Sequence, residues 1–406
     1  MVDLSPAEKR KILLGVCGSI AAYKSAELAR LLVSRGYEVR VVMTPAATEF
    51  IAPLTLQSVT GYPVTTTFWE ESAQIGHIQL ADWADAMVVA PATADTIAKL
   101  VAGIADTPLL AMALATKAPL LLAPAMNVNM FEHPATQENI AVLRKRGVAF
   151  VEPEEGALAC GWNGTGRLAS PEEIFHHVRR VVSVHDFTGK RVLISTGPTR
   201  EPIDPVRFLS NRSSGKMGMA LAREAFRRGA EVTLVHGPAQ VKVPNAVTCI
   251  PVVTAEEMHA AVMERAFAAI DPPDIVIMAA AVADFRPATV AAAKIKKAGM
   301  GPPPLQLVPT HDILLDLGEQ RGEGRKPVLV GFAVETGDLE ELLGHVREKL
   351  KRKNADMIVG NLAADAFDLD TNRVWLIDRN GRQDEVATTF KGRVANRILD
   401  AVLRLE

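Results

Sequence analysis

Cysteine is scarce in this chain, and its spacing argues against two kinds of structure. The 406 residues contain three cysteines, at positions 17, 160 and 249, and no Cys-x-x-Cys pair. An odd number of widely separated thiols argues against a disulfide framework and against a cysteine-rich zinc site. We therefore expect a reducing compartment, and the cytoplasm is the predicted location.

The chain also lacks an excess of charge of one sign and a long apolar run. Its 45 Lys and Arg balance 47 Asp and Glu, so net charge attracts neither nucleic acid nor an anionic membrane. No stretch reaches the roughly 18 apolar residues of a membrane-spanning helix, and the amino terminus has no signal-peptide pattern. We therefore expect the chain to bind neither nucleic acid nor a membrane, and any anion site must come from a local cluster of residues.

The sequence does contain a repeated alternation of apolar strands and amphipathic helices. Apolar segments such as KILLGV (11–16) and DAMVVAPAT (85–93) alternate with helix-length segments, and the pattern starts again at KRVLIST (190–196). This alternation is typical of a parallel sheet covered on both faces. The predicted fold class is α/β, with two doubly wound (Rossmann-like or flavodoxin-like) domains, each with a mainly parallel sheet, at 1–187 and 188–406.

The first strand-to-helix turn, GVCGS (15–19), is a candidate anion site. Glycines let the chain turn tightly, and the helix that follows presents free N–H groups. The turn is not a G-x-G-x-x-G motif, and the second strand ends VVMT (41–44) without an acidic residue. A dinucleotide site is therefore disfavoured, whereas one phosphate with hydroxyl partners on Ser19 and Thr44 suits a mononucleotide. A tight turn without a ligand is an equally open alternative.

Three further segments of the first half carry candidate functional groups. His77, in IGHIQLADWAD, suits acid–base chemistry, although a lone histidine is more often structural. Asn127, in PAMN, follows an apolar strand at the edge where doubly wound sheets bind ligands, or it caps a turn. Cys160 lies in GALACGWNGTGRL (156–168), where it is either an inert small residue or a reactive group on a glycine-hinged flap.

In order and spacing, GVCGSIAAYKS, His77, APATADTIAKLVAGIADTPLL, PAMN and LACGWNGTGR resemble the flavin-dependent cysteine decarboxylase family over residues 11–180. They look most like the phosphopantothenoylcysteine decarboxylases. The resemblance implies that FMN is the cofactor, that His77 is the catalytic base and that Asn127 binds the substrate carboxylate. It places Cys160 on a flap that covers the substrate. The implied FMN contacts are Gly18, Ser19, Thr44, Ala92 and Thr93.

These residue types fit the decarboxylation chemistry that the resemblance implies. A cysteine carboxylate does not lose CO2 unaided, because the carbanion left behind has nowhere to delocalise. FMN, with His77 as the assisting base, oxidises the thiol-bearing carbon to a thioaldehyde, which provides an electron sink. Loss of CO2 then gives an enethiol, and reduced flavin returns hydride to it. The thiol of Cys160 supplies the proton when the enethiol is reduced, so the reaction should stop at the enethiol without it.

Polar connections in the second half point to an anionic ligand. STGPTREPIDPVRFLSNRSSGKMG (195–218) is rich in arginine and hydroxyl groups, Asp284 follows a buried strand, and KIKK (294–297) lies in a loop rich in Lys, Gly and Pro. Alternatively, each of these segments is a solvated loop or a charged surface that binds no ligand. Lys349 and Lys353 are four residues apart and therefore share one face of a helix.

Together, SNRSSGKMG, AAVADF and KIKK resemble the phosphopantothenate–cysteine ligase family over residues 188–406. The resemblance implies that CTP activates the phosphopantothenate carboxylate as an acyl-cytidylate and that the cysteine amine then forms the amide. It assigns the acyl intermediate to Asn211 and Mg2+ to Asp284, while THDI departs from the usual Pro-Asp-Ile at His311. The implied CTP contacts are Met278, Ala279, Ala280, Ala281, Asp284, Lys294, His311, Asp312, Ile313, Leu314, Phe332, Lys349 and Lys353.

Two other functions stay open. A flavin- or nicotinamide-dependent reductase with a second nucleotide-binding domain would not need Cys160. A non-catalytic flavoprotein that regulates a partner would need neither His77 nor Cys160. For the assembly, the two resemblances imply a homo-oligomer with trimeric decarboxylase units and dimeric ligase units, and with FMN near a subunit boundary.

Overall fold

The computed structural model describes residues 10–69, 76–157, 163–239, 245–296, 304–366 and 369–405. The chain folds into two compact units, Met1–Val184 and His185–Glu406. Each unit has its own sheet and its own hydrophobic cores. Within the described residues, no helix has the length and apolarity needed to cross a membrane.

The first unit is built on a six-stranded parallel sheet, and it also contains a two-stranded hairpin. Its described strands are β1 (Lys11–Val16), β2 (Glu38–Met43), β3 (Val64–Thr65), β4 (Ala86–Ala92), β5 (Leu120–Pro124), β6 (Ala149–Phe150), β7 (Glu154–Ala157) and β8 (Asn163–Arg167). The sheet order is β3-β2-β1-β4-β5-β6, the Rossmann order. Every residue of β4 is buried, as a strand covered on both faces requires.

Helices cover both faces of this sheet. They are α1 (Lys24–Ser34), α2 (Pro45–Thr48), α3 (Pro53–Thr60), α4 (His77–Trp83), α5 (Ala94–Ala102), α6 (Pro108–Ala115), α7 (Val128–Glu132), α8 (Pro134–Lys145) and α9 (Pro171–Val181). Successive residues of β1 point to opposite faces. Leu14 therefore shares a core with Leu28 of α1, and Leu13 shares another with Ile97 of α5. Each such buried side chain stabilises the fold by about 1.5–3 kcal/mol.

The hairpin of the first unit is antiparallel, with Gly156 opposite Gly164. Strands β7 and β8 flank residues 158–162, which include Cys160 and lie outside the described residues. The prediction that Cys160 lies on a flap over the substrate therefore falls outside the described structure and stays a prediction.

The second unit has an eight-stranded mixed sheet and two short antiparallel strand pairs. Its described strands are β9 (Arg191–Thr196), β10 (Arg200–Pro202), β11 (Phe208–Ser210), β12 (Glu231–His236), β13 (Thr248–Pro251), β14 (Ile275–Met278), β15 (Phe285–Pro287), β16 (Leu307–Pro309), β17 (Val328–Glu335), β18 (Met357–Leu362), β19 (Thr371–Asp378) and β20 (Gln383–Phe390). The large sheet has the order β13-β12-β9-β14-β17-β18-β19-β20. It is parallel as far as β18, and β19 and β20 are antiparallel additions.

Helices again cover both faces of the large sheet. They are α10 (Lys216–Arg227), α11 (Ala255–Ala266), α12 (Ile313–Arg321), α13 (Leu339–Arg352), α14 (Ala363–Ala366) and α15 (Lys391–Leu403). Ile194 of β9 shares a core with Ile398 of α15, while its neighbour Leu193 shares the opposite core with Leu317 of α12. Two doubly wound α/β units with mainly parallel sheets result, so the predicted fold class is confirmed.

Candidate active sites

The first unit has a cavity of about 540 Å³ at the carboxyl ends of β1, β2, β4 and β5. The strand order reverses between β1 and β4, which is where doubly wound sheets bind their ligands. Four of the five residues predicted to contact FMN line this cavity: Gly18, Ser19, Thr44 and Thr93. The fifth, Ala92, is fully buried at the end of β4, directly before Thr93.

Hydroxyl groups and helix amino termini surround this cavity. Four side chains each accept a hydrogen bond of 3.2–3.4 Å from a backbone N–H in the helical turn that they begin: Ser19, Thr44, Thr93 and Thr107. Helices α5 and α6 thereby turn their positive dipole ends towards the cavity. Lys99 also lines it, but its Nζ lies 2.9 Å from Asp106 and 3.3 Å from Asp95. The arrangement suits a single phosphate held by neutral donors.

Gly18 is required by a close approach of two segments. A Cβ built on Gly18 would lie 2.5 Å from the Cβ of Ala46, closer than two carbon atoms can approach. The turn after β1 and the turn after β2 therefore meet at the cavity with no room for a side chain at this position. This close approach explains on steric grounds why a glycine occupies this position of the turn.

The segment that carries Asn127 is joined to the hairpin of the first unit. Met126, which lines the cavity, donates its backbone N–H to the carbonyl of Gly166 at 3.0 Å. A Cβ on Gly166 would lie 2.4 Å from the Met126 carbonyl oxygen, so only glycine fits there. Asn127 begins α7 by accepting a hydrogen bond from the Asn129 N–H at 2.9 Å. The base of the hairpin is therefore fixed against the wall of the cavity.

A lysine on the first helix anchors the chain just beyond the second strand of the same hairpin. Lys24 Nζ donates to the carbonyl oxygen of Leu168, just beyond β8, at 3.1 Å. Burial lowers the pKa of Lys24, and the neighbouring positive charge of Arg167 lowers it further. The hairpin thus has two fixed points on the body of the unit.

His77 is not among the residues that line the first cavity. It is exposed at the first position of α4, and its ring meets that of Phe68 edge to face, with centroids 5.4 Å apart. Cys17, by contrast, is buried and accepts a hydrogen bond from Thr96 Oγ1 at 3.2 Å. Burial raises the pKa of the Cys17 thiol to about 11, so this thiol is held in its unreactive form.

The second unit has a cavity of about 690 Å³ at the carboxyl ends of β14 and β17. Twelve of the fourteen residues predicted for substrate and CTP in this half line it: Asn211, Met278, Ala280, Ala281, Asp284, His311, Asp312, Ile313, Leu314, Phe332, Lys349 and Lys353. The two others, Ala279 and Lys294, are not among the lining residues. These fourteen residues are spread between positions 211 and 353 of the sequence, and the fold brings most of them to one place.

Ala279 and Lys294 have different settings. The backbone N–H of Ala279 donates to the Ser195 carbonyl at 3.2 Å, and its side chain packs against the hydrophobic core. Lys294 is exposed, and the next residue, Ile295, donates its N–H to Asp204 at 3.1 Å. Burial opposes ionisation of Asp204, but its backbone N–H donors hold the pKa of this carboxyl below its usual range. This charged residue therefore anchors the base of the loop that carries Lys294.

Buried hydroxyl groups hold the wall of the second cavity. Ser195 Oγ accepts a hydrogen bond from the Ala280 N–H at 3.2 Å, and Thr199 Oγ1 accepts one from the Ala283 N–H at 3.0 Å. Thr310 Oγ1 donates to the Ala283 carbonyl at 2.5 Å. The segment after β14 is therefore fixed on both sides, which presents its backbone to a ligand in a defined geometry.

Asn211 contributes to the same wall. Its Nδ2 donates to the carbonyl oxygens of Val282 at 2.9 Å and Ala281 at 3.4 Å. This amide thus ties the segment before α10 to the segment after β14. Because Nδ2 is already used, a contact with an acyl intermediate would draw on the side-chain oxygen of Asn211.

Two partly or fully buried lysines supply positive charge to the second cavity. Lys349 Nζ donates to the Phe332 carbonyl at 2.7 Å, and Lys353 forms an ion pair with Asp312. Burial lowers the pKa of both lysines, while the carboxylate of Asp284 acts in the opposite direction. An anionic ligand would relieve the cost of keeping these ammonium groups out of water.

Sequence reasoning missed several residues of the second cavity. Arg212, Thr310, Thr336 and Arg352 also line it. Arg212 lies inside the SNRSSGKMG motif, and Arg352 lies three residues after Lys349 on the same helix. Neighbouring residues in the sequence could therefore have identified both arginines. The supporting hydroxyl groups, such as that of Ser195, had none, because their partners are distant in sequence.

Comparison with known proteins decides the family. A flavoprotein family model matches residues 3–183, and a model of the DNA/pantothenate metabolism flavoprotein C-terminal domain matches residues 187–405. The coenzyme A biosynthesis bifunctional protein CoaBC of Mycobacterium tuberculosis is 42% identical over 99% of this chain and 98% of its own length. The protein of the same name from Bacillus subtilis is 45% identical over 98% and 97%. The chain belongs to the family of bifunctional coenzyme A biosynthesis proteins.

Two solved structures are similar to parts of this bifunctional coenzyme A biosynthesis protein. The C-terminal domain of a CoaBC protein is 41% identical and covers 54% of this chain and 96% of its own, with a TM-score of 0.44. A PPC decarboxylase mutant complexed with pantothenoylaminoethenethiol is 32% identical and covers 42% and 97%, with a TM-score of 0.39.

Family membership settles the general activity. The chain is a bifunctional enzyme of coenzyme A biosynthesis, with a decarboxylase activity in its flavoprotein domain and a ligase activity in its carboxy-terminal domain. The families inferred from the sequence motifs are thereby confirmed for both halves. The roles of individual residues stay predictions, and the geometry of the two cavities bears on them.

Proposed function

We propose that the carboxy-terminal unit joins the carboxylate of 4'-phosphopantothenate to the amine of cysteine, using CTP. The amino-terminal unit then decarboxylates this product to 4'-phosphopantetheine, using FMN. One observation carries the proposal: residues picked from distant sequence motifs converge on two cavities, each at the carboxyl edge of a parallel sheet. The two reactions fit together because the first makes the substrate of the second.

The first cavity fits a flavin mononucleotide. Its hydroxyl groups and helix N–H groups satisfy one phosphate, and Gly18 lets the backbone approach it closely. FMN, when bound, supplies the two-electron oxidant for the thiol-bearing carbon and returns the electrons in the final reduction. Asn127 orients the substrate carboxylate, His77 accepts the proton that leaves during oxidation, and Cys160 donates the last proton.

The second cavity fits a nucleoside triphosphate and a carboxylate substrate. Activation is needed because an amine cannot displace oxide from a carboxylate, and formation of the acyl-cytidylate with loss of pyrophosphate provides a leaving group. Lys349 and Lys353 neutralise the phosphates as negative charge moves towards the pyrophosphate. Asp284, close enough to both lysines to affect their pKa, would hold Mg2+, which supplies further charge neutralisation.

The full-length protein provides the direct test of both reactions. The purified chain is inspected for yellow flavin absorbance and then given 4'-phosphopantothenate, cysteine and Mg2+ with either CTP or ATP. We expect pyrophosphate and CO2 to form with CTP, and much more slowly with ATP. If neither product forms with either nucleotide, the proposed pair of reactions is wrong.

Substitution of Cys160 separates the steps of the decarboxylase. Cys160→Ser should fail to form 4'-phosphopantetheine and should accumulate the enethiol. Because the electrons are not returned to the product, the flavin should stay reduced and CO2 release should stop after about one turnover per FMN, unless O2 reoxidises the flavin. Cys249→Ser, which removes a half-buried thiol of the second unit, is the matched control and should form product normally. Normal product from Cys160→Ser would rule out its role as proton donor.

We further propose a homo-oligomer in the cytoplasm, with trimeric decarboxylase units and dimeric ligase units. The exposed position of His77, outside the lining of the first cavity, supports a site that a neighbouring copy completes. Mixing His77→Asn and Cys160→Ser chains tests this idea, with light scattering to measure the oligomer. Mixed oligomers should regain part of the decarboxylase activity, whereas a site within one chain predicts none.

A further inference from the structure

Two histidines and an aspartate meet beside the second cavity. His259 lies on α11, Asp316 lies on α12, and His311 lies two residues before α12 and lines the cavity. His259 Nε2 is 2.9 Å from Asp316 Oδ2, and His311 Nδ1 is 3.5 Å from the same oxygen. The two imidazole rings are stacked, with centroids 4.3 Å apart and planes inclined by 18°. Three separate points of the chain thus bring nitrogen and oxygen ligands together.

The spacing of these ligand atoms is close to that of a metal centre. One ligand atom from each of the three residues lies within 4.8 Å of the others. In a tetrahedral site with bonds of about 2.1 Å, ligand atoms lie roughly 3.4 Å apart. The adjustment needed is small, because His311 is about half exposed and its ring can tilt away from the stack without displacing a packed core.

A fourth side chain completes the arrangement around His311. Glu256 Oε2 lies 3.7 Å from His311 Nε2, the ring nitrogen opposite the one that faces Asp316. Metal-binding histidines commonly donate the second ring N–H to a carboxylate, which fixes the ring and its tautomer. Glu256 occupies that position, so His311 Nδ1 would be left as the ligand.

The geometry points to a binding site for Zn2+, or for another first-row transition-metal dication, formed by His259, His311 and Asp316 with Glu256 as the positioning residue. Imidazole and carboxylate ligands suit such ions, whereas Mg2+ prefers six oxygen ligands. Three protein ligands leave an open coordination position for water or for an oxygen atom of a ligand. Because His311 also lines the cavity, that position adjoins the cavity.

Metal binding by the full-length protein tests this site with the ion alone, so the result does not depend on the proposed ligase reaction. The chain is stripped with a chelator, and Zn2+ binding is measured by equilibrium dialysis and metal analysis. We expect one Zn2+ per chain that is absent from His259→Ala and from Asp316→Asn. Co2+ in place of Zn2+ should give the visible absorption of a low-symmetry site, lost in the same variants.

His345→Ala is the matched control, because His345 is an exposed histidine of the same unit, 3.4 Å from Glu335, and no second imidazole stacks on it among the described residues. This variant should bind Zn2+ as the wild type does. Glu256→Ala should retain the stoichiometry but weaken binding by roughly 10- to 100-fold. Circular dichroism checks that each variant is folded, and a Zn2+-dependent rise in Tm of the wild type gives an independent measure.

Two results would overturn the assignment. One is a wild-type chain that binds no Zn2+ above the level of His259→Ala, which would leave the cluster as a hydrogen-bonded network. The other is Zn2+ binding that persists unchanged in folded His259→Ala and Asp316→Asn, which would place the ion on other ligands, such as the thiols.

Discussion

The ion pair between Lys353 and Asp312 offers a sharp test of the energetics at the second cavity. The side chain of Lys353 is 3% exposed, whereas that of Asp312 is 46% exposed. Asp312 also begins α12, where its Oδ1 accepts a hydrogen bond from the Leu315 N–H at 3.2 Å. Asp312→Asn therefore removes the charge but retains a side chain that caps a helix equally well.

The asymmetry in exposure sets the expected magnitude. Removing one partner of a fully buried pair costs about 3–5 kcal/mol, and an exposed pair contributes about 0–1 kcal/mol. Asp312→Asn leaves the buried Lys353 ammonium without its partner, although Asp284 still compensates part of the charge. We expect a cost of about 2 kcal/mol, between these limits. Lys353→Met leaves Asp312 in contact with water, so it should cost less than about 1 kcal/mol.

A double-mutant cycle in the full-length protein measures this coupling. Hydrogen exchange of peptides from α12 and α13, followed over a urea series, reports the stability of the second unit without interference from the first. In the Lys353→Met background, Asp312→Asn should cost less than about 0.5 kcal/mol, because no buried charge then loses its partner. The coupling energy should therefore be about 1.5 kcal/mol.

Loss of the helix cap provides the internal control for this cycle. Asp312→Ala removes the cap as well as the charge, and it should cost about 1 kcal/mol more than Asp312→Asn in either background. A coupling energy below about 0.5 kcal/mol would refute the reasoning. It would mean that Lys353 is solvated, or compensated by another group, despite its buried position.

Three further outcomes are expected. Gly18→Ala should bind FMN at least about tenfold more weakly, because its Cβ would lie 2.5 Å from the Cβ of Ala46. Gly76→Ala, at a position with open space around it, is the control, and flavin absorbance measures the FMN bound by each variant. At pH 8, iodoacetamide should modify Cys17, whose pKa is about 11, only after unfolding, whereas half-buried Cys249 reacts earlier; peptide mass spectrometry shows which. Burial lowers the pKa of Lys349, so its charged form destabilises the folded unit below that pKa, and this penalty disappears as pH approaches 10.5. Lys349→Met should therefore raise the free energy of unfolding at neutral pH, and urea denaturation should show that this increase shrinks with rising pH.

The alternating apolar pattern was sufficient to predict the layers of both units. Segments such as KILLGV and DAMVVAPAT bury both faces of a strand, and this requirement is written in consecutive residues. The turn at Gly18 could be recognised for the same reason, since its glycine and the following Ser19 are adjacent in sequence. Local patterns predict local structure, and the residues singled out at this turn line the first cavity at the edge of the sheet.

The second cavity shows where local patterns stop. Ser195 and Thr199 support the backbone at Ala280 and Ala283, which lie more than eighty residues further along the chain. A buried serine or threonine has no periodic signal of its own, and its role depends on which backbone N–H the fold brings to it. The pairing of His311 with His259 could not be predicted from the sequence for the same reason.

The charges at the two cavities differ in a way that follows the proposed ligands. In the first cavity, two carboxylates neutralise Lys99, the cation among the described lining residues. Neutral donors and helix dipoles are therefore left to hold an anion. In the second, Lys349, Lys353 and two arginines line the wall, and the lysines are held at a lowered pKa by burial. A monophosphate that stays bound needs orientation more than charge, since it does not react. A triphosphate that loses pyrophosphate gains negative charge as its bond breaks, and buried cations stabilise that change most strongly. Under the proposed assignment, the same sheet edge thus supports retention of a cofactor in one unit and turnover of a nucleotide in the other.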